Sequence, residues 1–109
     1  LEKRYNYYKK IIPLAIRSIG VDTKDLEIIK GSDYQLGHEY MFDLLRMSSF
    51  TSVHNANKAA SEVVKQGGFE KTKVSGIIYP LMQAIDEQYL DVDAQLGGTD
   101  QRKIKVLAR

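Results

Sequence analysis

The sequence predicts an α/β chain that is mostly helical and short of strands. Apolar residues recur at helical spacing over long stretches, from Tyr5 to Ile19, over residues 38–48, from Asn55 to Val64 and from Val74 to Asp86. Only Leu26–Lys30 and Val92–Leu96 read as strands. The second runs into Gly97-Gly98, a tight turn with close backbone approach, and then into a helix start capped by Thr99 or Asp100. Strand, glycine turn and helix start form the corner of an open α/β sheet beyond which ligands bind. A parallel sheet covered on both faces needs more than two strands, so the rest of it is expected in other sequence.

In chain order, Tyr5, Tyr8, Ile12, Ala15, Ile16 and Ile19 mark the first helix, with Gly20 as its C-cap. An interior Pro costs about 3 kcal/mol in a helix, so a kink or restart is expected at Pro13. Thr23–Leu26 reads as one helical turn before the first strand. Residues 38–48 form a helix with Met41, Leu44 and Leu45 inward, and Asn55 caps a helix through Val64 that stops before Gly67-Gly68. Residues 67–72 are the best loop. The last helix runs through Ile104, Val106 and Leu107.

A chain of 109 residues is one domain or less, and 43% hydrophobic residues are enough for a core. The formal charge of +2 is too small to argue for nucleic acid. The absence of Cys excludes disulfides and thiolate metal sites, which is compatible with the cytosol. No apolar run approaches membrane-spanning length and no stretch reads as a signal peptide, so no membrane association is expected.

The chemistry concentrates in one helix. Tyr79, Gln83 and Asp86 share a face at i, i+4 and i+7, while Val74, Ile77, Ile78, Leu81 and Ile85 fall opposite. A phenol, an amide and a carboxylate in a row suit fixed hydrogen bonds better than a solvated face of Lys and Glu does. Asp100 and Gln101 project from the neighbouring glycine corner. Pattern alone leaves open an ordinary amphipathic helix and an ordinary Gly-Gly turn. The corner is not a P-loop, because no Gly-Lys-Ser/Thr follows, and it lacks dinucleotide-fingerprint spacing. These features extend to a polar small-molecule site and no further.

Beyond pattern, the run SGIIYPLMQAIDEQYLDVDAQLGGTDQRKI closely resembles the catalytic domain of tyrosyl-tRNA synthetases of the archaeal and eukaryotic type. Its markers are YPxxQxxD from Tyr79 and VDxxxGGxDQRKI from Val92, both ungapped. IIKGSDYQL, HEYMFDLLRMSSF and NKAASEVVKQ follow the family in the same order, and residues 75–104 carry the most specific part. The resemblance implies a Rossmann-like nucleotide-binding fold. Residues 1–72 would be the connecting insertion with adjoining helices, and 73–109 the start of the second half of that fold.

The resemblance also implies roles, position by position. Asp86 would accept a hydrogen bond from the phenol of L-tyrosine, and Tyr79 and Gln83 would hold its α-amino group. Gln101 would orient the amino and carboxylate groups for attack on the α-phosphate of ATP, which acts as a substrate with Mg²⁺. Gly98 and Asp100 would line the ribose, and Arg102 and Lys58 would meet the acceptor stem of tRNA(Tyr). Related tryptophan enzymes lack a carboxylate at the Asp86 position, which favours tyrosine. In that family a segment like 40–78 builds a homodimer interface; Phe50, Val53, Val74, Ile77 and Ile78 suit it, and as residues they suit a core equally.

Two phosphate-contacting motifs of the family, HIGH-like and KMSKS-like, precede and follow this region and are not in the 109 residues. Leu1 is not an initiator Met and Arg109 falls inside a predicted helix. An internal piece of a cytoplasmic tyrosine–tRNA ligase, inactive alone, is therefore expected. The rivals are a non-catalytic dimerisation piece and a tryptophan-specific relative.

Other features read more plainly. His38 and His54 are too few for a metal site, and Met41, Met47 and Met82 read as packing residues. Arg46 pairs with Asp43 most simply. Asp91 and Asp93 flank a strand start and read as structural rather than as Mg²⁺ ligands, so no protein-bound metal is expected.

Overall fold

The computed structural model describes residues 2–60 and 72–108. The chain forms two compact units, residues 1–33 and 34–109.

The first unit is built on α1 (Glu2–Ser18), which runs through Pro13 without interruption. The helix ends as Gly20 predicts. Gly20 has φ +84°, its N–H donates to Arg17 O at 2.9 Å, and Val21 N–H donates to Ile16 O at 3.4 Å. This is the paired-bond terminus for which a residue without Cβ is favoured. The apolar spacing of α1 does not become a core, because no residue of the helix is buried. The unit contains one long helix, so that stripe has no second helix of its own unit to pack on. Arg17 Nε donates to buried Thr23 Oγ1 at 2.6 Å, and Lys30 pairs with Glu2 at 2.8 Å. Thr23 O accepts from Leu26 N–H, giving the expected single turn.

The second unit centres on α5 (Val74–Tyr89), which packs against α3 (His38–Phe50), α4 (Val53–Ala60) and α6 (Arg102–Leu107). Short α2 (Ser32–Gln35) precedes it, and a 3-10 turn, Thr99–Gln101, leads into α6. The core joins Tyr40 and Leu44 of α3 to Leu81 and Ile85 of α5, with Tyr34, Met47, Met82, Tyr89 and Leu107 around them. Fully burying a Leu or Ile side chain contributes about 1.5–3 kcal/mol. Ala56, Ala59 and Ala60 of α4, Ala84 of α5 and Ile104 of α6 are also buried. The alanines put small side chains on the buried face of α4.

Four sequence expectations change. The inward face of α3 is Tyr40, Leu44 and Met47, while Met41 and Leu45 are exposed. Rotating the helix this way buries the largest ring against α5. Ser52, not Asn55, caps α4, because its Oγ accepts from Asn55 N–H at 3.2 Å. Neither Thr99 nor Asp100 makes a capping bond at the helix start. Finally, Leu26–Lys30 and Val92–Leu96 are irregular, with a bend at Asp93, and no strand occurs among the described residues. A strand exists only through a hydrogen-bonded neighbour, and neither segment has one within the described residues. The helix end expected at Val64 and the turn at Gly67-Gly68 lie outside them.

Candidate active site

Helix α5 organises the site. Pro80 is buried within it and the helix continues past it, which places Tyr79, Gln83 and Asp86 along one side. Tyr79 is half exposed, whereas Gln83 and Asp86 are partly buried. Of the apolar side predicted opposite, Leu81 and Ile85 enter the core, and Val74 and Ile78 remain exposed.

Asp86 is gripped from two other elements. Tyr40 Oη on α3 donates to Oδ1 at 2.8 Å, and Gln35 Nε2 donates to Oδ1 at 3.0 Å and to Oδ2 at 3.2 Å. Tyr40 Oη also lies 2.8 Å from the carbonyl of Met82. Burial, followed by the hydrogen bond and charge of Asp86, pushes the Tyr40 phenol well above its ordinary pKa, so the hydroxyl stays a donor. Tyr34 is pushed up to about 12, first by burial and then by the Asp86 charge. The rings of Tyr34, Tyr40 and Tyr89 pack together, with Tyr40 and Tyr89 edge to face at 4.9 Å and Tyr34 and Tyr89 stacked at 6.1 Å. On the far side Tyr89 Oη donates to Asp43 at 2.9 Å, and Asp43 meets Arg46 at 3.9 Å, the ion pair expected from their spacing.

A second chain of bonds fixes Gln83. Asp100 Oδ2 accepts from Gln101 Nε2 at 2.8 Å, and Gln101 Oε1 accepts from Gln83 Nε2 at 2.9 Å. A carboxylate can only accept, so Asp100 sets which way the Gln101 amide faces, and that in turn sets Gln83. The outcome is that Gln83 Oε1 is buried with no hydrogen-bond donor. A buried, unpaired acceptor costs about 1–3 kcal/mol unless something polar reaches it. A protonated amine is the natural complement.

At the glycine corner a side chain would meet close neighbours rather than a forbidden backbone conformation. Gly98 has φ −63°, open to any residue, but a Cβ there would strike Asp100 Oδ1. A Cβ at Gly97 would sit 2.9 Å from Lys105 Nζ, the end of a flexible side chain. Arg102 and Lys58, far apart in sequence, line one cleft of about 440 Å³ together with Asn55 and Lys103.

The fold therefore joins Gln83, Gln101 and Asp100 through hydrogen bonds and brings Lys58 to Arg102. It holds Asp86 with two residues, Gln35 and Tyr40, that the residue pattern did not single out. Gln35 lies within the quoted IIKGSDYQL run, but only tertiary contact reveals what it bonds. Among the described residues no group of three or more His, Cys, Asp or Glu is gathered for a metal ion, and no helix is long and apolar enough to cross a membrane.

A family model for class I tRNA synthetases of the tryptophan and tyrosine kind matches residues 1–109. The chain belongs to this family. As a member of the class I synthetases it is similar to the cytoplasmic tyrosine–tRNA ligase of Danio rerio, 52% identical over 99% of this chain and 20% of that relative. It is likewise similar to a probable cytoplasmic tyrosine–tRNA ligase of Enterocytozoon bieneusi, 48% identical over 100% of this chain and 31% of the relative. The cytoplasmic tyrosine–tRNA ligase of Saccharomyces cerevisiae is 50% identical over 96% of this chain and 26% of its own length. A crystal structure of tyrosyl-tRNA synthetase complexed with L-tyrosine from Archaeoglobus fulgidus matches with TM-score 0.83 and 40% identity, over 95% of this chain and 31% of that one. This class I synthetase segment thus spans between a fifth and a third of the length of these relatives. It is a mostly helical part of the family's fold.

Proposed function

We propose that this segment supplies the amino-acid side of the active site of a cytoplasmic tyrosine–tRNA ligase. The observation that carries the reading is the pairing, one turn apart on α5, of a carboxylate fixed to accept a hydroxyl and an orphaned acceptor suited to an ammonium: Asp86 and Gln83 Oε1. From Tyr79 to Asp86 the helix axis rises about 10 Å, the length scale of a bound tyrosine. Asp86 selects the phenol, Tyr79 and Gln83 hold the α-amino group, and Gln101 aligns the carboxylate. That carboxylate attacks the α-phosphate of ATP; the new bond is C–O–P, pyrophosphate leaves, and tyrosyl-adenylate remains. The step needs alignment more than an acid or base, and these residues are hydrogen-bonding groups. Gly98 and Asp100 line the ribose, and Mg²⁺ enters on the ATP phosphates. Transfer to the terminal adenosine of tRNA(Tyr) follows, and the cleft shared by Lys58 and Arg102 supports an acceptor-stem contact.

Residues 1–72 serve as the connecting insertion and 73–109 as the start of the second nucleotide-fold half. Phe50, Val53, Val74 and Ile78 are exposed, which favours the homodimer interface over the core reading for them. Sedimentation of a protein of full family length carrying this segment is expected to give a dimer that is lost when Phe50→Glu is combined with Val74→Glu; a double variant giving as much dimer as the parent refutes that interface. The function itself is tested by ATP–pyrophosphate exchange with tyrosine, phenylalanine and tryptophan in the same full-length protein. Exchange driven by tyrosine alone supports the reading. Exchange driven by tryptophan, or by none of the three, refutes it.

A further inference from the structure

Tyr40 acts on the site from behind. It belongs to α3, is 0% exposed, and its ring is held edge to face by Tyr34 at 5.7 Å and by Tyr89 at 4.9 Å. Its hydroxyl reaches both Asp86 Oδ1 and the carbonyl of Met82, each at 2.8 Å. Both acceptors belong to the same turn of α5 and share the single hydroxyl proton, so a rigid buried phenol holds the carboxylate beside the turn that carries it.

The two carboxylate oxygens are not equivalent. Oδ1 accepts from Tyr40 at 2.8 Å and from Gln35 at 3.0 Å, whereas Oδ2 accepts from Gln35 at the longer 3.2 Å; the Tyr34 hydroxyl also faces this carboxylate. Each carboxylate oxygen has about two lone-pair sites. Oδ1 carries the two shorter contacts, and Oδ2 is the oxygen held more loosely.

We propose that Tyr40 is a positioning residue for amino-acid selection: by occupying Oδ1 it fixes Asp86 so that Oδ2 meets the phenolic hydroxyl of the bound amino acid. This rests on the tyrosine reading above. Without the Tyr40 hydroxyl the carboxylate is free to turn about its last bond, and the ligand's hydrogen bond loses its alignment. Phenylalanine brings no hydroxyl and is indifferent to that alignment.

The test is ATP–pyrophosphate exchange in a protein of full family length carrying this segment, comparing kcat/KM for tyrosine and for phenylalanine. Tyr40→Phe keeps the ring and its packing and removes only the hydroxyl. It is expected to lower the tyrosine value about tenfold, the size of one hydrogen bond to a charged group, and to leave phenylalanine unchanged. Tyr89→Phe is the control, since it removes a hydroxyl from the same ring cluster that bonds Asp43 at 2.9 Å rather than Asp86. Its tyrosine-to-phenylalanine ratio is expected to stay that of the parent. An unaltered ratio in Tyr40→Phe, an equal fall for both amino acids, or the same narrowing in Tyr89→Phe overturns the positioning role. A parent protein that does not use tyrosine overturns the functional reading and this inference with it, so the two failures are separable.

Discussion

Replacing Asp86 tests the selection of a phenol most directly, and the structure sets the size of the effect. Hydrogen bonds to charged groups contribute about 1.5–3 kcal/mol net, against about 0.5–1.5 for neutral pairs. Asp86→Ala removes the ligand's acceptor altogether, so tyrosine affinity is expected to fall by about 10- to 150-fold. Asp86→Asn keeps the shape and the oxygen facing Tyr40 but loses the charge; the difference of about 1–1.5 kcal/mol corresponds to a loss of roughly 5- to 13-fold. Phenylalanine moves the other way. In the parent its binding leaves the partly buried carboxylate short of a donor, and a neutral amide or a methyl group relieves that penalty. Selectivity therefore narrows from both sides, and this separates a site residue from a merely structural one. Scaffold damage is limited, because Tyr40 keeps the Met82 carbonyl at 2.8 Å as an acceptor. The assay is calorimetric titration of the full-length protein with L-tyrosine and L-phenylalanine. Equal weakening of both amino acids, or no change in either, refutes the role assigned to Asp86.

Gln83→Leu removes the orphaned acceptor Oε1 while roughly keeping side-chain volume. The parent is expected to prefer tyrosine to its analogue lacking the amino group, and the variant to lose about tenfold of that preference; a preference unchanged in competition binding refutes the amino-group assignment. Alkaline pH gives a prediction of definite sign. Tyr34 rises from 10 to about 12 on folding, so its stabilising contribution is complete below pH 10 and is lost as pH rises from 10 through about 12, where the unfolded chain has already released the proton. Tyr40 shifts in the same direction and adds to that loss. Denaturant midpoints followed across this window are expected to fall, less steeply in Tyr34→Phe; a flat profile contradicts the burial of these phenols.

Local signals determined the parts of this protein that depend on neighbours in sequence. Gly20 announced the end of α1 because only a residue without Cβ readily takes φ +84°. The spacing of Tyr79, Gln83 and Asp86 put them on one side of α5 because helical geometry follows from the backbone alone. The pairing of Asp43 with Arg46 followed from the same periodicity, and the YPxxQxxD and VDxxxGGxDQRKI runs identified the family, which a model matching all 109 residues bears out.

What required tertiary structure depended on partners distant in the chain. Spacing could not tell that α3 turns Tyr40 inward instead of Met41 and Leu45, because both faces of that helix are apolar and packing against α5 chooses between them. Nor could it find the grip of Tyr40 and Gln35 on Asp86, contacts spanning 46 and 51 residues. The two segments that read as strands are irregular and without a ladder among the described residues, since β structure is a property of a pair of segments and propensity belongs to one. The direction of the Gln83 amide came last, through Asp100 and Gln101, because a carboxylate that can only accept decides the orientation of every amide bonded after it.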